Sequence, residues 1–202
     1  MTVRNLGLSE FTFSKRQVDF YQENEIIGTM IKTNESTVLE LCGFVTKIGA
    51  TEAKPIPISS IAVEPWVQLK CLYGCPRYGK SKTCPPFSPK YEDTKVILAS
   101  YKQAILIEGQ PPGLEFKEML LKLELQANIV GYHKAFAMGA GPCPLCPECP
   151  PDEECTKPLK ARPSMESCGI DVFQTVRNNG FQINFLEKKG TYVKYFGLLL
   201  LE

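Results

Sequence analysis

Seven of the nine cysteines in this 202-residue sequence fall in two short stretches, and their spacing is that of metal ligands. The second stretch reads Cys143-Pro-Leu-Cys146-Pro-Glu-Cys149-Pro-Pro-Asp-Glu-Glu-Cys155, a C-x2-C-x2-C-x5-C run, with Cys168 thirteen residues further on. Thiolates two residues apart let one bend of backbone wrap the corner of an inorganic cluster, as in the C-x2-C-x2-C-x3-C-P run of bacterial ferredoxins. A single zinc ion also takes four thiolates, but its knuckles usually come as two separated C-x2-C pairs. The unbroken triplet therefore points first to a [4Fe-4S] cluster, with structural zinc and redox-active thiols as the alternatives. Simple packing is a poor explanation for these thiols, because a stretch flanked by proline and glutamate offers no apolar core.

The first stretch, Lys70-Cys71-Leu-Tyr-Gly-Cys75-Pro-Arg-Tyr-Gly-Lys-Ser-Lys-Thr-Cys84-Pro-Pro, spaces its cysteines C-x3-C-x8-C. Three thiolates leave one coordination position for Cys168, water or a substrate, and an open iron corner permits Lewis-acid chemistry. A radical-SAM motif is excluded, since only the first half of C-x3-C-x2-C is present. Lys70, Arg77, Lys80 and Lys82 can offset thiolate charge or serve as a solvated turn. Cys42 lies on the apolar face of an expected helix and reads as a small buried hydrophobe. The other eight cysteines match two four-iron clusters, or one cluster and a three-cysteine site. Cys168, beside Gly169, is the weakest member of the set and reads equally well as a packing residue.

Elements must hold these stretches in place. Val38, Leu41, Cys42, Val45 and Ile48 recur at helical spacing between Ser36 and Gly49. Beyond them, Ile56 to Ile58, Ser60 to Val63 and Trp66 to Leu69 look like short strands broken by prolines. YEDTKVILASYK reads as a helix, AILIE as a buried strand, the segment between Gly113 and Gly131 as a helix, and KAFAM as a strand that opens into the second cysteine stretch. Ser164 can cap a helix through IDVFQTVRNN, and two strands around Lys189-Gly190 close the chain. Residues 1–34 leave helix and strand open. This alternation predicts a single α/β domain over residues 1–202, with a mixed sheet and flanking helices. Cysteine-rich loops 70–90 and 140–163 lie at the sheet edge, and 11 of the 16 prolines stiffen them. If both preceding strands run parallel, the two loops emerge side by side.

The rest of the chain narrows the function. A net charge of +1 gives no general pull toward nucleic acid or an acidic membrane surface. No apolar run approaches the roughly 20 residues that span a bilayer, and the N-terminus lacks a secretory pattern, so a reducing cytoplasm is expected. His133 is the only histidine and no G-x-S-x-G segment exists, which disfavours a serine hydrolase. His133 reads as structural. Gly139-Ala140-Gly141 reads as clearance for the cysteine loop more than as a phosphate cradle. The aromatic residues show no RNA-binding pattern. Glu166 and Asp171 flank Cys168 with nothing to mark them as an acid–base pair.

KCLYGCPRYGKSKTCPPFSP, KAFAMGAGPCPLCPECP and KARPSMESCGIDVF together resemble the predicted metal-binding proteins of domain-of-unknown-function family 2284. The resemblance runs from about Ser36 to Glu202 and includes the terminal YFGLLLLE. It implies Cys71, Cys75, Cys84, Cys143, Cys146, Cys149 and Cys155 as ligands of an iron–sulfur or other metal site, and implies no reaction. Arg162 to Glu166 match the family too, as a helix start or as support for the cysteine loop. The resulting expectation is an α/β protein with one or two [4Fe-4S] clusters, transferring electrons to or reductively activating a redox protein partner. The rivals are a zinc-stabilised interaction module and an enzyme with an open iron site.

Overall fold

In a computed structural model of the chain, the described residues are 35–109, 113–149, 153–183 and 194–202. The segment 1–34 lies outside them, as do the Lys189-Gly190 turn and most of the strand expected before it. Two strands with unbroken apolar runs, 104–107 and 198–201, form the centre of the sheet, β2 (Gln103–Gly109) and β4 (Tyr195–Leu201), paired antiparallel with Ile105 opposite Leu199. Successive side chains of a strand point to opposite faces, so a run apolar at every residue must be covered on both sides. It is. Ile105, Ile107, Leu199 and Leu201 belong to one core cluster, while Ala104, Leu106, Leu198 and Leu200 belong to the other.

The first cluster lies under α1 (Glu35–Lys47) and a long later helix, Leu114–Ile129, through Val38, Leu41, Val45, Phe116, Leu120 and Leu123. The second is closed by Ile61, Val63, Met165, Cys168, Ile170 and Val176. The edge strands are β1 (Glu52–Pro57), antiparallel to β2, and β3 (Phe136–Met138), antiparallel to β4, giving the order β1-β2-β4-β3. Pro55 and Pro57 are tolerated because β1 is an edge, where a missing N–H breaks no inner ladder. The α/β class expected from sequence is what the chain adopts. Among the described residues all four strands pair antiparallel, and one parallel bridge, Gly139 to Ser164, lies outside them.

Three local expectations need correction. Trp66 to Leu69 is no strand but part of α2 (Pro65–Gly74), which starts on Pro65, a residue whose fixed φ suits the first helical position. Its apolar residues misled because Trp66, Leu69, Leu72 and Tyr73 are exposed and only Val67 is buried, leaving no helical stripe in the sequence. The stretch after β1 forms a 3-10 turn, Ile58–Ser60, and then a single bridge from Val63 to Ile170, not a second strand. The helix expected from Ser164 is split in two. Ser164 and Ser167 exchange backbone-to-hydroxyl bonds of 3.1 Å around the 3-10 turn Glu166–Cys168. The chain then reverses at Gly169, and the last helix, Val172–Asn178, takes its own cap from Asp171, whose Oδ1 accepts from Gln174 N at 2.9 Å.

The helices between are α3 (Tyr91–Leu98) and α4 (Leu114–Ile129), so the last is α5 (Val172–Asn178). No helix among the described residues is long and apolar enough to cross a membrane.

Gly169 gives the first prediction. Its φ is +79°, and a Cβ there would stand 2.7 Å from Tyr91 Cβ and 3.2 Å from Tyr91 Cα. Gly169→Ala combines a left-handed backbone with a collision against a helix start, and should destabilise by about 2–3 kcal/mol. Urea unfolding measures it, and a loss under about 0.5 kcal/mol would mean that Tyr91 does not pack there in solution.

Candidate metal centre

Each cysteine loop is fastened at its base. In the first, Cys71 lies in the last turn of α2 and Cys75 caps it, donating its N–H to Cys71 O at 3.3 Å. The helix that replaces the expected strand thus carries Cys71 in its last turn and ends at Cys75, one turn of backbone later. The chain returns through turns in which Gly79 N reaches Pro85 O at 2.9 Å and Phe87 N reaches Cys84 O at 2.9 Å. Gln68 then clamps the loop: its Nε2 donates to Pro89 O and Ser167 O, both at 3.0 Å, and its Oε1 accepts from Tyr91 N at 3.1 Å. Ser88 Oγ donates to the same Ser167 carbonyl at 2.7 Å. These bonds press the first loop onto the 3-10 turn that carries Glu166 and Cys168.

The second loop begins where β3 ends. Gly139 N donates to Pro163 O at 2.9 Å and Met165 N to Gly139 O at 3.0 Å, so entry and exit are tied together. Arg162, at the exit, donates from Nε to Glu124 Oε2 at 2.8 Å and from Nη2 to Glu124 Oε1 at 2.5 Å. Glu124 Oε2 also accepts from Ala137 N at 2.7 Å, which occupies an outward N–H of edge strand β3. Lys117 Nζ donates to Arg162 O at 2.7 Å. Burial lowers the Lys117 pKa most, the Arg162 charge lowers it further, and the Cys143, Glu124 and Cys155 charges oppose this.

The two loops meet. Lys82 N donates to Cys149 Sγ at 3.4 Å across the junction. Cys143, Cys146, Cys149 and Cys155 line one small cavity of about 20 Å³, together with Arg77 and Lys82 from the first loop and Lys157 from the second. Lys157 Nζ is held on Leu145 O at 2.7 Å, and Thr156 Oγ1 lies 3.6 Å from Cys146 Sγ. Beside it, Cys71, Cys75 and Cys84 interact electrostatically. Burial raises the Cys71 pKa first, with the Cys75, Cys84 and Glu166 charges adding to it. Burial likewise raises Cys84, the Cys75 and Cys143 charges add, and hydrogen bonds from Ser81 and Thr83 oppose. Cys84 thus senses a thiol of each loop.

All nine cysteines are free thiols. Among the described residues, no three Cys, His, Asp or Glu side chains stand in a ready-made coordination geometry. The donor set nevertheless suits a soft metal. Neighbouring thiolate charges add to burial in keeping Cys71 and Cys84 protonated, and a cation among them removes that penalty. The three cations around the small cavity and the N–H on Cys149 Sγ act in the same direction.

Cys168 stands apart in character. It is fully buried among Ile170, Met165 and the β4 leucines, and burial pushes its thiol up to about 12. His133 is not among these residues; its Nδ1 pairs with Glu202. Glu166, weighed from sequence only as a neighbour of Cys168 and as the end of the Arg162 to Glu166 segment, is a buried carboxyl between the loops. Burial raises its carboxyl pKa against hydrogen bonds from its own N–H, Ser164 and Gly141, while buried Oε2 has no hydrogen-bond partner among the described residues. It thereby joins the first-loop thiols, through Cys71, to the start of the second loop at Gly141. The only signal in the sequence was its place in RPSME.

Cys42 serves as the contrast. It is buried on the inner face of α1 in the first core cluster, and burial pushes its thiol from 9.0 up to about 11. A thiol whose pKa is raised by folding keeps its proton in the folded chain, so stability falls as pH climbs from about 9 to about 11. Cys42→Ala should leave bound metal unchanged and narrow the stability gap to the parent across that window. Urea midpoints at several pH values show it; a constant gap would mean that the Cys42 thiol is solvated.

The family model described as "Predicted metal-binding protein (DUF2284)" matches residues 54–201, which include both cysteine loops and the segment from Arg162 to Cys168. No curated protein and no solved structure matches the chain.

Proposed function

Since this chain belongs to the DUF2284 family of predicted metal-binding proteins, we propose that its two cysteine loops hold one or two [4Fe-4S] clusters. The clusters would serve electron transfer to, or reductive activation of, a redox protein partner. The observation that carries this reading is the meeting of the loops, in which a first-loop backbone N–H is directed at a second-loop sulfur and Cys84 senses both Cys75 and Cys143. Hydrogen bonds to cluster sulfur and nearby cations are the means by which a protein sets cluster potential.

Cys143, Cys146, Cys149 and Cys155 would hold one group. Cys71, Cys75 and Cys84 would hold the other, with Cys168 as the remaining thiol. A bound cluster supplies one-electron redox chemistry. The chain supplies the sulfur donors, the Lys82 N–H, and the positive charges of Arg77, Lys82 and Lys157 that offset the thiolates. Free thiols in this number suit a reducing cytoplasm.

A second reading has its own support. The cavity of about 20 Å³ holds roughly one water-sized body, which fits a single zinc ion in a structural module. Purification under argon separates the two. The cluster reading expects brown protein whose visible absorbance is bleached by dithionite and returns on reoxidation; colourless protein with stoichiometric zinc would overturn it.

A further inference from the structure

Glu166 is the one carboxyl among the described residues with a buried oxygen, Oε2, that has no hydrogen-bond partner. It opens the 3-10 turn Glu166–Cys168, and the first cysteine loop is bonded to the middle of that turn: Ser88 Oγ and Gln68 Nε2 donate to Ser167 O at 2.7 Å and 3.0 Å. The three thiols of that loop, Cys71, Cys75 and Cys84, leave one coordination position open, and two residues of the turn compete for it. The charges of Glu166 and Cys84 both reach Cys168, and the charge of Glu166 reaches Cys71. Direction separates the candidates. A 3-10 turn advances about a third of a rotation per residue, so side chains two residues apart leave it on different sides. Cys168 is 0% exposed and packs with Met165, Ile170 and Leu200 in the second core cluster. Glu166 is set toward the loops: the Gly141 N–H at the start of the second eases its charge, and the Cys71 thiol of the first feels it. Burial opposes its ionisation, yet a neutral carboxyl would leave the same oxygen without a partner. A cation beside Oε2 removes that cost, and both zinc and iron accept carboxylate oxygen together with other donors.

We propose that Glu166 is the fourth ligand of the first-loop metal site, its carboxylate completing the set of Cys71, Cys75 and Cys84 in place of Cys168, which is a core residue. The assignment rests on the reading that the first loop holds metal, and it gives that site one oxygen donor among three sulfurs. In a four-iron cluster the oxygen-held iron is the corner bound least tightly, and therefore the one that exchanges.

The test counts iron, zinc and acid-labile sulfide in the full chain purified under argon, beside Glu166→Gln, Glu166→Cys and Cys168→Ala. Glutamine has the size and hydrogen-bonding groups of a neutral carboxyl, so a merely structural Glu166 would tolerate it. Glu166→Gln should lose at least about one metal ion per chain, Glu166→Cys should retain the full count by supplying a thiolate, and Cys168→Ala should retain it at lower stability. Full metal content in Glu166→Gln would overturn the assignment. A second measurement needs no variant to fold: isotopically enriched ferrous iron, added to the parent chain under argon, should enter about one iron position per chain by Mössbauer spectroscopy. Glu166→Cys should abolish that exchange and Cys168→Ala should leave it unchanged. An iron-bearing parent chain that exchanges none, or exchange undiminished in Glu166→Cys, would overturn the assignment while the proposed function stands. Zinc in place of iron would overturn the proposed function, and the loss of about one zinc in Glu166→Gln would still bear out the ligand. A chain without metal would overturn both.

Discussion

Arg162→Met should cost about 3–5 kcal/mol of folding stability, the usual consequence of stranding one member of a buried ion pair. Glu124 is only 8% exposed, and both of its carboxylate oxygens accept from Arg162. Without the guanidinium, the carboxylate keeps one hydrogen-bond donor among the described residues, Ala137 N at 2.7 Å. Lys117 is poorly suited to take over, because burial already disfavours its charge and its Nζ is engaged with the Arg162 carbonyl. The double variant Arg162→Met with Glu124→Leu should recover much of the loss, since it removes the buried charge along with its partner. Equilibrium urea unfolding of the three variants measures both effects. A single-variant loss below about 1 kcal/mol would mean that the pair is solvated. The same change releases the exit of the second cysteine loop, so metal retention should fall in parallel with stability.

Cys146→Ala should remove metal and stability together. Cys146 is one of four thiols around the small cavity, and ligand binding in such sites is itself folding free energy, of the order of 10 kcal/mol for structural zinc sites. We expect more than half of the metal at the second loop to be lost and the thermal midpoint to fall, whereas Cys42→Ala retains its metal. Metal analysis with thermal unfolding reads both quantities. Full metal content in Cys146→Ala would remove this thiol from the ligand set, and parallel losses in Cys42→Ala would show that the effect is only one of packing.

The fold was legible where burial left a pattern. α1 and α4 each bury one stripe, and Val38, Leu41 and Val45 or Phe116, Leu120 and Leu123 stand at helical spacing. β2 and β4 were legible for the opposite reason, as continuous apolar runs covered on both faces. α2 was not, because it buries one residue, Val67, and is held by Pro65 at its start and the side chain of Gln68 farther on. The break at Gly169 is set by a contact with Tyr91, 78 residues earlier in the chain, which no local signal encodes.

The candidate site divides in the same way. Cysteine spacing pointed to two loops, and proline density to their irregular backbone. That the loops touch depends on Gln68, Ser88 and Gly139, whose bonds to the segment from Pro163 to Ser167 are long-range. Parallel strands before the two loops would have set them side by side; β3 is a strand but Trp66 to Leu69 is helical, and this shared segment joins the loops instead. Glu124 was legible only as one polar residue on a helix, and its part in holding the second loop emerges once Arg162 and Ala137 N are seen to share it.

The most direct measurement is the content of iron, zinc and acid-labile sulfide per chain in protein purified under argon. The account predicts about four or about eight iron atoms per chain with matching sulfide, and their loss when second-loop cysteines are replaced. Protein that carries no iron and no zinc, with the seven loop thiols reacting freely in the folded chain, would contradict it.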